Sequence, residues 1–321
     1  MREKVFSELC SAQEQFISGN QIADKLGISR VAVWKHITAL KEMGYQIEAV
    51  RNKGYLLHNK EKFLSTGQVF EYLHTGFVGQ NLIYYPATVS TNQTLKELLS
   101  KKKLAEGSVV VSQKQSQGRG RQGKEWESPD GGLWFSVFLK PHLAVQQTAL
   151  LSLVMATALA RALSELISIP LTIKWPNDVF CSGKKISGIL LELRGEMEKI
   201  ECLICGIGIN VNIAAEAFSA DLIARATSFY IEKGTYFSLA QVLGTILNYV
   251  EQYYQKFLAE GISDILDEFK LRCLHLGKPV SIEVAGDWIE GINTDIDMLG
   301  NLKIQTVNGI RSVSTGDLQV L

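Results

Sequence analysis

Gln115-Ser-Gln-Gly-Arg-Gly-Arg-Gln-Gly-Lys-Glu-Trp126 is the stretch on which the fold of this 321-residue chain turns. Gly118, Gly120 and Gly123 fit G-x-G-x-x-G, which would open a helix in a dinucleotide-binding sheet. Here Ser128-Pro-Asp-Gly-Gly132 follows and then an apolar strand pattern, so no helix N-terminus receives a pyrophosphate. Gly118 to Lys124 also fits G-x-x-x-x-G-K, but Glu125 stands where a phosphate-binding loop carries Ser or Thr. With both doubly wound readings excluded, the stretch is a basic, glycine-rich loop between strands. Its glycines let it fold closely over a ligand. Arg119 and Arg121 offer bidentate donors for phosphate or carboxylate, and Trp126 offers a planar apolar surface.

Around this loop the pattern is that of an α+β sheet domain. Leu82 to Ala87, Ser108 to Ser112, Leu133 to Leu139, Leu171 to Trp175, Ile186 to Leu193 and Ile200 to Val211 read as strands. Asn92 to Leu99, Val145 to Ile167, Leu239 to Ala259 and Ile262 to Leu271 read as helices, expected on one side of the sheet. Four further segments carry chemistry that matches the loop. Ser90-Thr91-Asn92 puts hydroxyls at a helix N-terminus, and Lys174-Trp-Pro-Asn-Asp178 ends a strand with an amide and a carboxylate. Lys185-Ile-Ser-Gly-Ile189 starts a strand with a cation, and Gly206-Ile-Gly-Ile-Asn210 puts two glycines inside one. Glycine weakens a strand and marks a place where a ligand or backbone comes close.

The ends of the chain differ from this middle. Residues 1–62 read as a short helix from Gln21 to Leu26, a turn at Gly27-Ile28, an N-cap at Ser29 and a longer helix from Arg30 to Met43 stopped by Gly44. Val33, Ile37 and Leu40 form its buried stripe. Strands Gln46–Val50 and Tyr55–His58 then flank the basic turn Arg51-Asn-Lys-Gly54. This is the pattern of a winged helix-turn-helix, with Ser29, Arg30, Trp34, Lys35 and Thr38 expected at a DNA groove and Arg51 and Lys53 at phosphate; the alternative is a small structural helical subdomain with Lys35 and Lys41 merely solvated. A linker is expected at Glu61 to Ser65. From Gly277, short strands at Pro279–Val284, Trp288–Asn293, Asn301–Thr306 and Ile310–Val313 indicate a small barrel.

The formal net charge is zero, which at first discourages a nucleic-acid partner, but the zero is a cancellation. Residues 1–62 carry +3 and residues 96–124 carry +6, against −1 over 63–95, −5 over 125–266 and −3 over 267–321. The five cysteines form no framework, which fits a reducing cytoplasm. Cys202 and Cys205 lie an odd number apart on a strand and so point to opposite faces, which excludes a shared metal or disulfide. Ser152, Thr157, Arg161, Ser164 and Glu165 mark the long apolar helix as buried rather than membrane-spanning.

Ser90-Thr-Asn92, Gln115-x-x-Gly-Arg-Gly-Arg121, Trp126, Lys174-Trp-Pro-Asn-Asp178, Lys185-x-x-Gly-Ile189 and Gly206-x-Gly-Ile-Asn210 together resemble the motifs of the biotin protein ligases, over almost the whole chain. The N-terminal module resembles that of the bifunctional members, which also repress biotin synthesis genes. The resemblance implies a winged helix over 1–62, an α+β ligase domain over 65–271 with a mixed sheet, and an SH3-like barrel over 272–321. It implies that biotin and ATP give biotinyl-5′-AMP, with magnesium held mostly by the phosphates, and that biotin then passes to a lysine of a biotin carboxyl carrier protein. Biotinyl-5′-AMP would also act as corepressor, promoting a homodimer on operator DNA, with no membrane partner.

By the same resemblance Ser90, Thr91, Asn92, Gln115, Gly118, Arg119, Trp126, Lys185 and Gly188 belong to the biotin site. Arg121, Asn177 and Asn210 belong to the nucleotide side. Arg121, Lys185 and Asp178 carry the chemistry, Asp178 acting on the incoming lysine or on magnesium, and no protein metal cage is expected. Gln122 stands where many relatives carry a further Arg, and Ala226-Thr-Ser228 resembles the end of a loop that covers the adenylate. Two rivals are a lipoate or octanoate ligase and a winged-helix regulator whose ligase-like domain only senses a ligand. The Gly-Arg-Gly-Arg and Lys-Trp-Pro-Asn-Asp runs argue against the first, and intact Arg121 and Lys185 against the second.

Overall fold

The computed structural model describes residues 1–12, 15–42, 45–58, 60, 63–101, 103–141, 143, 147–196, 199–284 and 286–321. Met43 and Gly44, the expected helix stop, lie outside the described residues, as do Glu61 of the expected linker and Val145 at the expected helix start.

The N-terminal module holds α1 (Arg2–Ser11), α2 (Gly19–Leu26), α3 (Arg30–Glu42), β1 (Ile47–Val50) and β2 (Gly54–Leu57). Ser18 and Gln21 form a reciprocal capping box at α2, and Gly27 ends it in the left-handed region at φ 64°. Ser29 caps α3 by accepting the Ala32 N–H at 3.1 Å. Val33, Ile37 and Leu40 are buried as expected, against Val5, Phe6 and Leu9 of α1. The β1–β2 hairpin turns on Gly54 at φ 114°, where a Cβ would run into the Ile17 carbonyl. α4 (Thr66–Val69) packs against α1.

The central sheet holds β3 (Leu82–Tyr85), β4 (Val109–Ser112), β5 (Leu133–Leu139), β6 (Thr172–Lys174), β7 (Asp178–Cys181), β8 (Lys184–Glu196) and β9 (Lys199–Ile209), in the order β3-β4-β5-β9-β8-β7-β6. Only β3 and β4 run parallel, so the sheet is mixed. Between its strands lie α5 (Thr91–Lys101) and α6 (Thr148–Ile167). After β9 come α7 (Ala220–Ile223), α8 (Phe229–Lys233), α9 (Leu239–Glu260) and α10 (Ser263–Arg272).

The helices are not all on one side. α6, α9 and α10 cover the face bearing Val109, Val111, Val137, Leu139 and Cys205, whereas Leu95 of α5 packs on the other face against Val110, Phe138, Cys202 and Ile204. The pleat requires such a split: Val109 and Val111 share a face, and Val110 between them needs its own cover. The two cysteines therefore face opposite ways, as their spacing demanded. The segment Ala149–Ile167 of α6 is long and apolar enough to cross a membrane by length and composition, yet it is core, packed on α9 and the sheet.

The C-terminal strands are β10 (Pro279–Val284), β11 (Asp287–Ile296), β12 (Leu302–Thr306), β13 (Gly309–Val313) and β14 (Asp317–Val320). They form one antiparallel sheet in the order β13-β12-β11-β10-β14. Val280, Ile282, Ile296, Leu302, Ile304 and Leu318 join the core of the central domain, so the two modules share one apolar interior.

Candidate functional site

A cavity of about 730 Å³ opens where the central sheet, the 115–126 loop and the start of α5 meet, within the usual range for a small-molecule site. The extensions of β3 and β4 build one wall. Thr88 and Gln115 pair in parallel, with the Ser116 N–H donating to Thr88 O at 3.0 Å and the Gln117 N–H to Val89 O at 2.9 Å. This register brings Ser90-Thr91-Asn92 to Gln115. Gln115 Oε1 accepts from the Thr91 N–H at 2.8 Å and from Thr91 Oγ1 at 3.2 Å, while its Nε2 donates to Ser128 Oγ at 2.8 Å.

The floor is glycine. Gly188 of β8 pairs with Gly208 of β9, and the Trp126 indole lies on them. A Cβ at Gly208 would stand 2.6 Å from Trp126 Nε1, and one at Gly188 2.9 Å from Trp126 Cζ3. Two residues along β9, a Cβ at Gly206 would strike Asn92 Oδ1. The strand glycines therefore admit side chains of this protein, Trp126 and Asn92, which then border the cavity. Asn92 is buried, donating to Glu192 Oε2 at 2.6 Å and lying 2.6 Å from Ser136 Oγ.

Charge gathers around Lys185 and Arg121. Lys185 Nζ stands 2.7 Å from Asp178 Oδ2 and 5.1 Å from the Trp126 ring centroid. Arg121 Nη1 donates to Asn177 Oδ1 at 3.0 Å, and Asn177 Nδ2 donates to Ile189 O at 2.7 Å. Burial pulls the Arg121 guanidinium below its ordinary value against the opposing pull of Asp178 and Asp317, yet an arginine stays charged at neutral pH. Lys174 is lowered by burial in the same way, with Asp317 and Asp178 opposing. Asp317 is pushed up by burial but held below its ordinary value overall by Lys124, Lys174 and Arg121.

The remaining wall is the segment after β9. Its Lys185–Ala226 bridge joins it to β8, with the Lys185 N–H donating to Arg225 O at 2.8 Å and the Thr227 N–H to Lys185 O at 2.9 Å. Asn210 Nδ2 donates to Thr227 O at 3.0 Å. Ala226-Thr-Ser228 thus closes a loop over the cavity, with Phe218, Leu222 and Arg225 lining it.

Of the residues expected here, Ser90, Thr91, Asn92, Gln115, Arg119, Arg121, Trp126, Asn177, Asp178, Lys185, Gly188 and Asn210 all line the one cavity. Gly118 is not among the lining residues: its carbonyl accepts from the Trp126 N–H at 2.9 Å, and a Cβ there would strike the Trp126 carbonyl and stand 3.1 Å from Gln115 Nε2. Lys174, Gly316 and Asp317 also line the cavity and were not anticipated as site residues. Lys174 could have been found from its place in the Lys-Trp-Pro-Asn-Asp run. Asp317 could not, because only tertiary structure brings β14 to the site. Among the described residues no group of three or more His, Cys, Asp or Glu converges as a metal cage.

In the N-terminal module Ser29, Arg30, Trp34, Lys35, Arg51 and Lys53 are exposed and Thr38 is half-buried, its hydroxyl donating to Trp34 O. Trp34 is 56% exposed and Val31 63%, an apolar surface that a free solvated helix face does not need. The Ser29 hydroxyl is occupied by its cap.

Comparison with known proteins matches these parts one by one. Residues 84–210 match the biotin/lipoate A/B protein ligase family, residues 2–56 an HTH domain and residues 275–321 the biotin protein ligase C-terminal domain. The bifunctional ligase/repressor BirA of Bacillus subtilis strain 168 is 36% identical over 321 residues, covering 100% of this chain and 98% of the relative. The bifunctional ligase/repressor BirA of Escherichia coli K12 is 28% identical, over 96% and 94% of the two chains. Among solved structures, the biotin protein ligase from Aquifex aeolicus in complex with biotin and ATP superposes with a TM-score of 0.67 at 32% identity, covering 75% of this chain and 100% of that one. The chain belongs to the biotin protein ligase family, on its bifunctional ligase/repressor branch.

Proposed function

We propose that this chain is a biotin–protein ligase that is also a biotin-responsive repressor, and that the cavity over Gly188 and Gly208 is where biotin and ATP react. The observation that carries this reading is the polarity of the cavity. Neutral hydrogen-bonding groups of Ser90, Thr91 and Gln115 and the cations Lys185, Arg121 and Lys174 line the same cavity, with the Trp126 ring centroid 5.1 Å from Lys185 Nζ. A ligand with a polar neutral head, an apolar stem and a carboxylate fits that set of groups.

In the first step a carboxylate oxygen of biotin attacks the α-phosphorus of ATP, the bond to the bridging oxygen breaks, and pyrophosphate leaves. Two anions must approach, so the main work is electrostatic. Lys185 faces both the carboxylate and the α-phosphate in this assignment, and Asp178, 2.7 Å away, holds its ammonium in place. Asp178 thereby acts first on Lys185, ahead of the incoming lysine or a metal. Arg121, fixed by Asn177, neutralises phosphate, and Asn210 ties down the segment that covers the nucleotide.

In the second step the neutral amine of a carrier-protein lysine attacks the mixed-anhydride carbonyl and AMP leaves. Among the described residues no carboxylate cluster forms a cage, which suits magnesium that arrives on ATP phosphates; Asp178 or Asp317 of the cavity lining could hold it, and it would offset phosphate charge. We further assign α3 and the β1–β2 wing to operator DNA, bound by a homodimer whose formation biotinyl-5′-AMP promotes. The Cys10, Cys181, Cys202, Cys205 and Cys273 thiols are all free, in keeping with work in the cytoplasm.

The deciding experiment incubates the protein with ATP and magnesium plus either biotin or lipoate and looks for the acyl-adenylate. Biotinyl-AMP alone is expected. Lipoyl-AMP in its place would overturn the substrate, and no adenylate from either would favour a regulator that only senses.

A further inference from the structure

The Lys174–Asp178 turn delivers Lys174, Asn177 and Asp178 to the cavity, yet what anchors it comes from outside the central domain. The segment leaving α10 runs beside β6, with Ile173 and Cys273 bridged in parallel and the Leu274 N–H donating to Ile173 O at 2.9 Å. Next in line, the fully buried His275 places its Nε2 3.0 Å from the Trp175 N–H. The Trp175 indole N–H donates in turn to Gly300 O, in the β11–β12 turn, at 2.9 Å.

Because Nε2 must accept from the backbone amide, the ring proton sits on Nδ1. Nδ1 stands 2.9 Å from the Asn293 side-chain amide. With the amide oxygen turned to the ring, the Asn293 nitrogen donates to the carbonyls of Asp295 at 3.0 Å and Lys303 at 3.2 Å. A neutral Nδ1–H imidazole thus completes a chain of hydrogen bonds from the C-terminal strands to the catalytic turn.

We propose that His275 is a positioning residue for adenylate formation, holding the Trp175 backbone so that Asn177 and Asp178 present their side chains to Arg121 and Lys185. The groups around the ring favour its neutral form. It is shut away from solvent, Lys174 and Lys278 are the cations that act on it, and the Cys273 thiol lies 3.6 Å away. Burial, aided by those two lysines, holds the ring at about 4, so it stays an acceptor at neutral pH.

This proposal rests on the ligase reading, and its test separates the two. Full-length wild type and His275→Gln, His275→Asn and His275→Leu are compared for biotinyl-AMP formation and for melting temperature. Gln can put its amide oxygen where Nε2 stands, whereas Asn reaches only the place of Nδ1. His275→Gln is expected within about threefold of wild type, and His275→Asn and His275→Leu at least about tenfold slower. That loss should fall in kcat rather than in KM for biotin, because the Ser90–Gln115 wall is untouched. Equal rates, or three losses that simply track melting temperature, would overturn the proposal.

If the Leu variant fails to fold, ¹⁵N spectra of the wild-type histidines decide, with His275→Gln assigning the resonance. A neutral Nδ1–H tautomer near pH 6 is expected, and an imidazolium or an Nε2–H tautomer overturns the assignment. Wild type that makes no biotinyl-AMP would refute the ligase reading, while the tautomer would still judge the contact.

Discussion

Lys185 answers to three neighbours at once: the Asp178 carboxylate, the Trp126 face and the backbone of Arg225. Replacing it by Gln keeps much of its length and removes its charge. Pyrophosphate release with biotin and ATP should fall by about 10²–10³-fold, the usual cost of one preorganised electrostatic group. An unchanged rate would move the charge role to Arg121 or Lys174. At this scale Ser90, Gln115, Arg121 and Lys185 were legible in the sequence because side chains of that type cluster where polar chemistry happens. Gly206 and Gly208 were legible only in part. Their position announced a close approach, but a strand pattern cannot say whether the visitor is a ligand or, as here, Asn92 and Trp126. Asp317 carried no local signal at all.

Elements were most readable where periodicity ran long. Leu133–Leu139 and Pro279–Val284 lie where expected, and the ends of the long helices fall within a few residues of theirs. α1 was missed although its buried residues, Val5, Phe6 and Leu9, stand at i, i+1 and i+4, because ten residues give too few turns to fix a period. β7 and β14, four residues each, were not read from the sequence. α5 was seen as a helix but assigned to the wrong face, since amphipathicity identifies an apolar side and not the layer it meets.

The wing offers a test confined to one element. Gly54→Ala forces a Cβ onto the Ile17 carbonyl at a φ of 114° and should destabilise the N-terminal module by about 1–3 kcal/mol. Operator binding in a gel-shift assay should weaken while biotinyl-AMP formation persists. A parallel loss of both would show that the wing supports the ligase domain.

Across the whole molecule, zero net charge resolves into a basic N-terminal module, a basic loop beside the cavity and an acidic remainder. The modules nonetheless touch. α1 packs on α4, and Tyr45 Oη lies 2.7 Å from Tyr84 Oη across the junction, burial pushing both phenols above their ordinary range. Deleting residues 1–62 should therefore abolish operator binding and leave adenylation in place with a lowered melting temperature. Specific operator binding by the truncated chain would refute the DNA assignment.

The buried His275 also makes stability acid-sensitive. Its folded value is about 4 against an ordinary 6.5, so between those pH values the unfolded chain binds a proton that the folded chain does not. Stability is whole above about pH 6.5, falls as pH drops toward 4 and levels off below. The part from this one residue is at most about 3 kcal/mol. Urea melts at pH 7 and pH 5 should show a smaller drop for His275→Gln than for wild type, and equal drops would show that the ring does not titrate in this window.

The paired glycines under Trp126 set a limit on redesign. Trimming side chains is the ordinary way to enlarge a binding site for a bulkier analogue, but Gly188 and Gly208 have nothing left to trim. Any widening has to start from Trp126, Gln115 or the 212–226 segment, and every substitution at the floor can only make the site smaller.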